Sequence, residues 1–136
     1  MSDQIIIKKT ELPVAGSLND DIDYICKSFG YFTERDKQDT AGRIFQLLVK
    51  EACGCEKGMT SDDIAEHLNL TRGAIVHHLN SFISTGLVVR SHNMYRLRSQ
   101  SLQKSIEEIK EDIDRILIQM LKIANEIDTK LGNLYR

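Results

Sequence analysis

The sequence predicts a mainly α-helical protein with one small β-hairpin and a long C-terminal helix. Three observations support this fold class. The 136 residues include no Trp and a single Pro, which suits helices because Pro interrupts them. Apolar residues recur every three to four positions in most segments. From residue 102 onward, large apolar residues alternate in steps of four and three, which is typical of a coiled-coil seam. We therefore predict an N-terminal extension with a short helix (1–38), a central domain (39–98) and a C-terminal dimerisation helix (99–136).

The composition is that of an ordinary globular protein. Hydrophobic residues make up 41% and charged residues 28%, so disorder of the whole chain is not expected. No apolar run approaches the roughly 20 residues of a membrane span, and the first residues lack the features of a signal peptide. Three cysteines are an odd number and suggest no disulfide framework. We expect a cytoplasmic protein that does not contact a membrane.

Two helices are predicted in the first half of the chain. The first covers 18–29, is capped by Ser17 or Asn19, and ends near Gly30. Its predicted inner residues are Leu18, Ile22, Ile25 and Phe29. The second covers about 40–52. Its inner face is expected to carry Ile44, Leu47 and Leu48.

A closely spaced pair of helices comes next in the chain. Thr60, with Asp63 three residues later, resembles a capping box and predicts the start of a helix. The tight turn "NLT" ends that helix, and Thr71 caps the next one. Gly86 fits the C-terminal stop of this second helix.

The stretch "LVVRSHNMYRLR" after Gly86 predicts a β-hairpin. Apolar and basic residues alternate along it, and Ser-His-Asn supplies the turn. We expect inward side chains at Val89, Tyr95 and Leu97, and outward side chains at Arg90, Arg96 and Arg98.

The distribution of charge along the chain is uneven although the net charge is only −2. No acidic residue occurs in the 40 positions between Glu66 and Glu107, while all four histidines and five Lys or Arg residues lie there. A basic segment on an otherwise acidic chain is typical of a surface that binds a polyanion such as DNA. The alternative is chance clustering on a solvated surface.

Two helices joined by a short turn and followed by a basic hairpin form a winged helix-turn-helix. The stretch "TSDDIAEHLNLTRGAIVHHLNSFISTGLVVRSHNMYRL" resembles the DNA-binding core of ArsR-type transcriptional regulators. The resemblance lies in "HHL", in the "GLV" exit and in the basic wing with its Tyr, and it covers roughly residues 40–98. MarR-like proteins of the broader winged-helix set share all of these features except "HHL". The resemblance implies a dimeric DNA-binding regulator.

The helix that starts after Thr71 has the side-chain distribution of a recognition helix. At about 100° per residue, the inner face holds Ile75, Leu79, Phe82 and Ile83, and the outer face holds Gly73, His77, Asn80, Ser81 and Ser84. The small Gly73 and Ala74 allow a close approach to a groove, and Thr71 and Arg72 are placed to reach a phosphate or a guanine edge. The predicted DNA-binding residues are Thr71, Arg72, Gly73, Ala74, His77, His78 and Asn80, together with Arg90, His92, Asn93 and Arg96 at the wing tip.

Other roles remain open for several of these residues. His78 lies at the boundary of the outer face, so it is either a DNA contact or a half-buried structural residue. Ordinary solvent exposure is the alternative for the rest. Metal binding by the pair is disfavoured because adjacent helical side chains diverge by about 100°. Catalysis is disfavoured because no acid within ten residues orients either imidazole.

The coiled-coil seam predicts a homodimer. Its residues are Leu102, Ile106, Ile109, Ile113, Ile116, Met120, Ile123 and Ile127. Beyond Ile116 the apolar surface widens to include Leu117, Ile118, Leu121, Ala124 and Leu131. So wide a stripe needs more than one neighbour, and we expect residues 1–30 to pack there. Isoleucine at both core positions favours higher oligomers in a free parallel coil, and the orientation of the paired helices stays open.

The cysteines do not match the metal sites of the family. ArsR-type proteins include metal sensors, but Cys53 and Cys55 precede the first helix of the motif and the C-terminal helix has no histidine. We expect inert cysteines and no cofactor, with Cys26 in the core. A metal site that adds Cys26 or His67, or a redox switch, is the alternative. No glycine-rich nucleotide loop or nucleophile–base pair occurs, so no enzyme is expected.

The sequence therefore predicts a sequence-specific regulator that binds double-stranded DNA as a homodimer at a roughly two-fold operator. Repression by promoter occupancy is the expected mode, with activation as the alternative, and no effector is identified. Two rival interpretations stand beside this one. The first is a winged-helix protein-interaction module of the transcription machinery, and the second is a metal or redox sensor that uses Cys53 and Cys55.

Overall fold

A computed structural model describes residues 7–14, 17–30, 39–51 and 58–132. The chain is mainly helical, with a small three-stranded antiparallel sheet and a long C-terminal helix. The elements in order are α1 (Leu18–Ser28), α2 (Thr40–Glu51), β1 (Met59–Thr60), α3 (Ser61–Leu68), α4 (Arg72–Ser84), β2 (Val88–Ser91), β3 (Met94–Leu97) and α5 (Leu102–Leu131). They divide into two units, Met1–Ser105 and Ile106–Arg136.

Hydroxyl caps begin α1, α3 and α4, as the sequence predicts. The Ser17 hydroxyl accepts the Asp20 N–H at 3.1 Å, and the Thr60 hydroxyl accepts the Asp63 N–H at 3.0 Å. The Thr71 hydroxyl accepts the Ala74 N–H at 3.3 Å. Each cap satisfies a donor that has no partner within the first helical turn.

Helix α1 packs on α2. Ile22, Cys26 and Phe29 are buried, so the prediction of a core position for Cys26 is confirmed. Leu18 is 63% exposed as the first residue of α1, and its predicted place on the inner face is wrong because burial begins one turn later, at Ile22. The expected packing of residues 1–30 on a dimer core stays a prediction.

The core of the first unit lies among α2, α3, α4 and the hairpin. Its largest fully buried side chains are Phe45, Phe82, Ile44, Leu48, Ile64, Ile75, Leu79, Leu87 and Leu97. The predicted inner residue Leu47 is only half-buried, whereas Phe45 is fully buried. The Arg43 guanidinium donates to the Leu68 carbonyl at 2.8 Å, so α2 also supplies a partner for the C-terminal end of α3.

The sheet has the strand order β1-β3-β2, and its strand β1 was not predicted. Met59 pairs with Tyr95 and Thr60 with Met94. Gly58 lies just before this strand with φ of +79°, and a Cβ there would collide with the Tyr95 carbonyl oxygen. A two-residue strand has too little alternation for periodicity to reveal.

The hairpin differs from its predicted register by one residue. Its turn consists of His92 and Asn93, both with positive φ (52° and 66°), and not of three residues. Positive φ at both central positions is typical of a type I′ turn, which suits a two-residue hairpin. Because side chains alternate across a strand, Val88 and not Val89 faces the core.

The same register decides which arginine shares a face with Tyr95. Arg90 lies directly opposite Tyr95, so the two side chains project on the same side of the sheet. The prediction that Tyr95 points inward is confirmed, and the placement of Arg90 on the opposite face is wrong. Arg96 lies opposite Val89, on the other face.

Helix α5 is 30 residues long. The Ser101 hydroxyl accepts the Lys104 N–H at 3.0 Å in its first turn. Ile109 is 2% exposed, but Ile116 is 53% exposed and the large apolar residues from there to Leu131 are open to solvent. Neither α5 nor any other described helix is long and apolar enough to cross a membrane.

Candidate nucleic-acid interface

The outer face of α4 carries the exposed polar residues that the sequence predicts for it. Ile75, Leu79 and Phe82 are 0% exposed and hold the inner face against the core. The opposite side of the helix is open to solvent. Its exposed residues, which define the outer face of α4, are Arg72, Gly73, His77 and Asn80. A rigidly seated helix with one open polar side can enter a groove of DNA.

Three half-buried residues border this face. Val76, which was not singled out in the sequence, lies at one edge and offers an apolar contact surface. Ser81 lies at the other edge, and Ser84 lies at the C-terminal end of the face. Their hydroxyls donate to the carbonyls of His77 at 3.4 Å and of Ser81 at 2.9 Å, respectively. Both serine hydroxyls therefore already have acceptors within the helix.

The N-terminal end of α4 is open to close approach. Apart from its chain neighbours and the nearby backbone of α4 itself, no described atom lies within 4 Å of a Cβ built at Gly73, so the main chain there is open to close approach. Thr71 is exposed, and Ala74 is half-buried. The first N–H groups of a helix and its positive dipole end favour an anion at such a position.

Arg72 has an acidic neighbour that the acid-free stretch did not reveal. Its Nε lies 3.8 Å from Oδ1 of Asp62, in the first turn of α3. Both side chains are more than 70% exposed, and ion pairs of this kind contribute little stability in water. The guanidinium can therefore leave Asp62 for a stronger anionic partner at small cost.

His77 and His78 occupy different environments. His77 is exposed on the outer face of α4, while His78 is half-buried at its boundary. Their ring centroids lie 5.4 Å apart with the planes at 68°. Among the described residues, no group of three or more His, Cys, Asp or Glu side chains is arranged to hold a metal ion.

The hairpin tip presents a preorganised arginine. Arg90 donates through Nη2 to Oδ1 of Asn93 at 2.6 Å. Its guanidinium carbon also lies 5.7 Å from the centroid of the Tyr95 ring, within the range of a cation–π contact. His92 is exposed beside them. Asn93 therefore has two roles. Its backbone, with positive φ, forms the turn, and its side-chain oxygen orients Arg90.

Arg96 lies apart from this tip. It is half-buried, and its Nη1 donates to the carbonyls of Leu97 at 3.1 Å and of Arg98 at 3.5 Å. Its guanidinium is thus held by the main chain at the end of β3.

A cleft of about 190 Å³ lies where the start of α3, the start of α4 and the hairpin tip meet. Its lining residues are Thr60, Ser61, Asp62, Arg72, Arg90, Asn93 and Tyr95. We call it the Arg72–Arg90 cleft. Only Arg72, Arg90 and Asn93 were predicted as DNA-binding residues. The pairing of β1 with β3 brings the other residues there, and the only signal in the sequence was the cap at Thr60.

A second, acidic cleft of about 430 Å³ is lined by Met59, Asp63, Glu66 and His67.

The proposed sensor cysteines Cys53 and Cys55 lie outside the described residues. Cys26 is not part of a disulfide and is 0% exposed. The alternative metal site, which adds Cys26 or His67 to Cys53 and Cys55, therefore lies partly outside the described residues.

The predicted dimerisation residues of α5 differ along the helix in their exposure. Leu102, Ile106 and Ile113 are half-buried, and Ile109 is buried. Between Ile116 and Leu131 the large apolar side chains are open to solvent. They are Ile116 (53%), Leu117 (47%), Ile118 (56%), Met120 (60%), Leu121 (68%), Ile123 (54%), Ile127 (51%) and Leu131 (67%).

We found no match to this chain among protein-family models, curated proteins or solved structures. The resemblance to ArsR-type regulators therefore depends on the motif residues alone and stays an expectation.

Proposed function

We propose that this chain is a sequence-specific DNA-binding transcriptional regulator that acts as a homodimer on a roughly two-fold operator. One observation carries the proposal. The exposed outer face of α4 and the basic hairpin tip belong to a 40-residue stretch without a carboxylate, and they adjoin each other through the Arg72–Arg90 cleft. An extended polar and basic surface of this kind is typical of a DNA contact.

In this proposal α4 is the recognition helix of a winged helix-turn-helix. It is seated by α2 and α3 and presents its N-terminal half to the major groove. Arg72 is suited to a guanine edge and Asn80 to an adenine edge, because their side chains offer bidentate hydrogen bonds. His77 lies between them on the outer face and donates to a base or a phosphate.

The hairpin is the wing. Arg90, His92 and Asn93 at its tip contact the phosphate backbone or the adjacent minor groove. Arg96, whose guanidinium is held by main-chain carbonyls, contributes positive charge without reading a base. The wing therefore adds affinity more than sequence discrimination.

Homodimerisation uses the exposed seam of α5. Leaving Ile116, Met120, Ile123 and Ile127 in water would forfeit roughly 1.5–3 kcal/mol for each side chain, which is large beside the stability of a small domain. A second copy carries the identical stripe and can cover it through a two-fold interface. Two recognition helices related by such an axis fit two half-sites, and occupancy of a promoter represses transcription.

The test is binding of the purified protein to duplex DNA from upstream of its own gene. We expect a steep decrease of affinity with salt, because bound phosphates release counterions. Arg72→Ala should weaken binding to the operator more than Lys104→Ala does. Lys104 is an exposed basic residue in the same acid-free stretch, but it lies outside the outer face of α4 and the hairpin tip.

Two outcomes contradict the proposal. Absent or salt-independent binding across genomic fragments would exclude DNA as the partner. A specific complex with a component of the transcription machinery that needs the outer face of α4, without DNA binding, would favour the protein-interaction module instead.

A further inference from the structure

We infer that the Arg72–Arg90 cleft is a binding site for one phosphate group of the DNA backbone. Ser61 and Arg90 hold the phosphate. The Asp62 carboxylate of the protein itself pairs with Arg72 until the phosphate arrives. This inference rests on the proposed DNA-binding function. It adds a specific site to that function and assigns roles to Ser61 and Asp62, which were not among the predicted DNA-binding residues.

The cleft has room for a single tetrahedral anion. Its volume is about 190 Å³, which leaves room for a phosphate group and a few waters at about 30 Å³ each. Three separate chain segments line it: the start of α3, the start of α4 and the hairpin tip. Donors therefore surround the space from several directions, as a phosphate with four oxygens requires.

Ser61 supplies the observation that points to a ligand. The residue lines the cleft, is only 8% exposed, and its hydroxyl makes no hydrogen bond to the described residues. The hydroxyl is therefore available to a ligand in the cleft, and a phosphate oxygen there would accept its hydrogen bond.

The first turn of α3 adds further donors. The Thr60 hydroxyl takes the N–H of Asp63, whereas the N–H groups of Ser61 and Asp62 precede any partner within the helix. These groups and the positive end of the helix dipole favour an anion at this end of the cleft.

The two arginines are held in different ways. Arg90 is already oriented by the Asn93 amide oxygen and the Tyr95 ring, so its remaining N–H groups are free to bind without further ordering. Arg72 has only the exposed, 3.8 Å pair with Asp62. A phosphate held by Ser61 and Arg90 brings negative charge next to the Asp62 carboxylate. The pair between Asp62 and Arg72 is then weakened, and the Arg72 guanidinium becomes available for a guanine edge.

Asp62 therefore lowers the affinity for DNA. Its carboxylate both pairs with Arg72 and repels the incoming phosphate. Asp63, the next residue of the same helical turn, is also exposed but lines the other, acidic cleft. Asp62→Asn and Asp63→Asn remove the same charge from neighbouring positions. A difference in DNA affinity between the two variants can therefore be assigned to the cleft.

The first experiment measures the affinity of both variants for operator DNA by fluorescence anisotropy. We expect Asp62→Asn to bind about 2- to 5-fold more tightly than Asp63→Asn, as the loss of a competing surface ion pair predicts. The Tm of each variant verifies that it is folded. Equal affinities of the two variants would overturn the inference.

The second experiment locates the phosphate. Single methylphosphonate linkages, which remove one backbone charge, are placed in turn along a half-site. One position should weaken the wild type about tenfold but weaken Ser61→Ala much less, because the same hydrogen bond is already lost. If every position affects both proteins equally, Ser61 does not contact a phosphate.

The source of the phosphate is tested with inorganic phosphate alone. Thermal unfolding in sodium phosphate is compared with that in sodium chloride at matched ionic strength. Little stabilisation by phosphate concentrations up to about 1 mM agrees with a DNA phosphodiester as the ligand. Saturable stabilisation below that concentration, absent in Ser61→Ala, would assign the cleft to a free phosphate compound and overturn the assignment to DNA.

These results separate the two proposals. If the wild type binds no DNA, the proposed function itself fails. The assignment of the cleft alone fails under a different result. The wild type then binds its operator with steep salt dependence, but Asp62→Asn has the same affinity as Asp63→Asn, and every methylphosphonate affects Ser61→Ala and the wild type equally.

Discussion

The rings of Phe45 and Phe82 meet edge to face, with centroids 5.8 Å apart and planes at 68°. Phe45 belongs to α2 and Phe82 to α4, and both are 0% exposed. Aromatic pairs in this geometry contribute stability beyond the area that they bury. The contact fixes α4 on the core and so determines how firmly its outer face is presented.

We expect Phe82→Ala to lower the free energy of unfolding by about 3–5 kcal/mol, because a large cavity opens between α2 and α4. Val76→Ala, on the half-exposed side of the same helix, should cost much less. Chemical denaturation monitored by circular dichroism compares the two. A loss at Phe82 no greater than that at Val76 would show that the ring pair does not anchor α4.

Arg72 and Arg96 should affect DNA binding differently. Arg72→Ala is expected to cost about 1–3 kcal/mol on the operator and to relax sequence preference, if Arg72 contacts a base. Arg96→Ala should weaken binding to all sequences more evenly. It should also reduce the slope of log affinity against log salt by about one. Titrations on operator and scrambled duplexes at several salt concentrations distinguish these effects. Identical profiles for the two variants would contradict the division between recognition helix and wing.

Asn93 has two separable roles. Asn93→Gly keeps the positive φ of the turn, so the Tm should hold or rise slightly, but it removes the acceptor of Arg90 and should weaken DNA binding a few-fold. Asn93→Val should lower the Tm, because a β-branched residue is strained at positive φ. Thermal unfolding and DNA titration together give the result. Unchanged DNA binding by Asn93→Gly would mean that the Arg90–Asn93 contact does not prepare Arg90 for its ligand.

Ile116→Asp should dissociate the proposed dimer and abolish operator binding, because it introduces a carboxylate into the middle of the seam. Lys122→Asp adds the same group to the polar side of α5, some 120° around the helix by the 100° step, and should leave the dimer intact. Sedimentation and DNA titration of both variants test this. A compact wild-type monomer at micromolar concentration, or a normal dimer of Ile116→Asp, would exclude the predicted assembly.

The two cysteines outside the described residues are expected to be inert. A double variant, Cys53→Ser with Cys55→Ser, should bind DNA as the wild type does, with or without zinc or peroxide. Loss of binding that depends on zinc or oxidant and occurs only in the wild type would support the sensor interpretation.

The sequence by itself determined the features that depend on neighbours within a few residues. The caps at Ser17, Thr60 and Thr71 and the inner face of α4 result from local hydrogen bonds and from the 3.6-residue period. The seam of α5 is equally visible, because its spacing repeats over the whole helix. These local signals predicted the helices and most of the residues on the outer face of α4.

The tertiary structure alone decided what lies beside that face. The pairing of Thr60 with Met94 places the start of α3 next to the hairpin, and no periodicity predicts a two-residue strand. The two-residue turn at His92 and Asn93 moved the register by one position and so brought Arg90 to the side of Tyr95. Because a side chain changes face with each single step along a strand, a turn shorter by one residue determined whether Arg90 lies at the cleft or away from it.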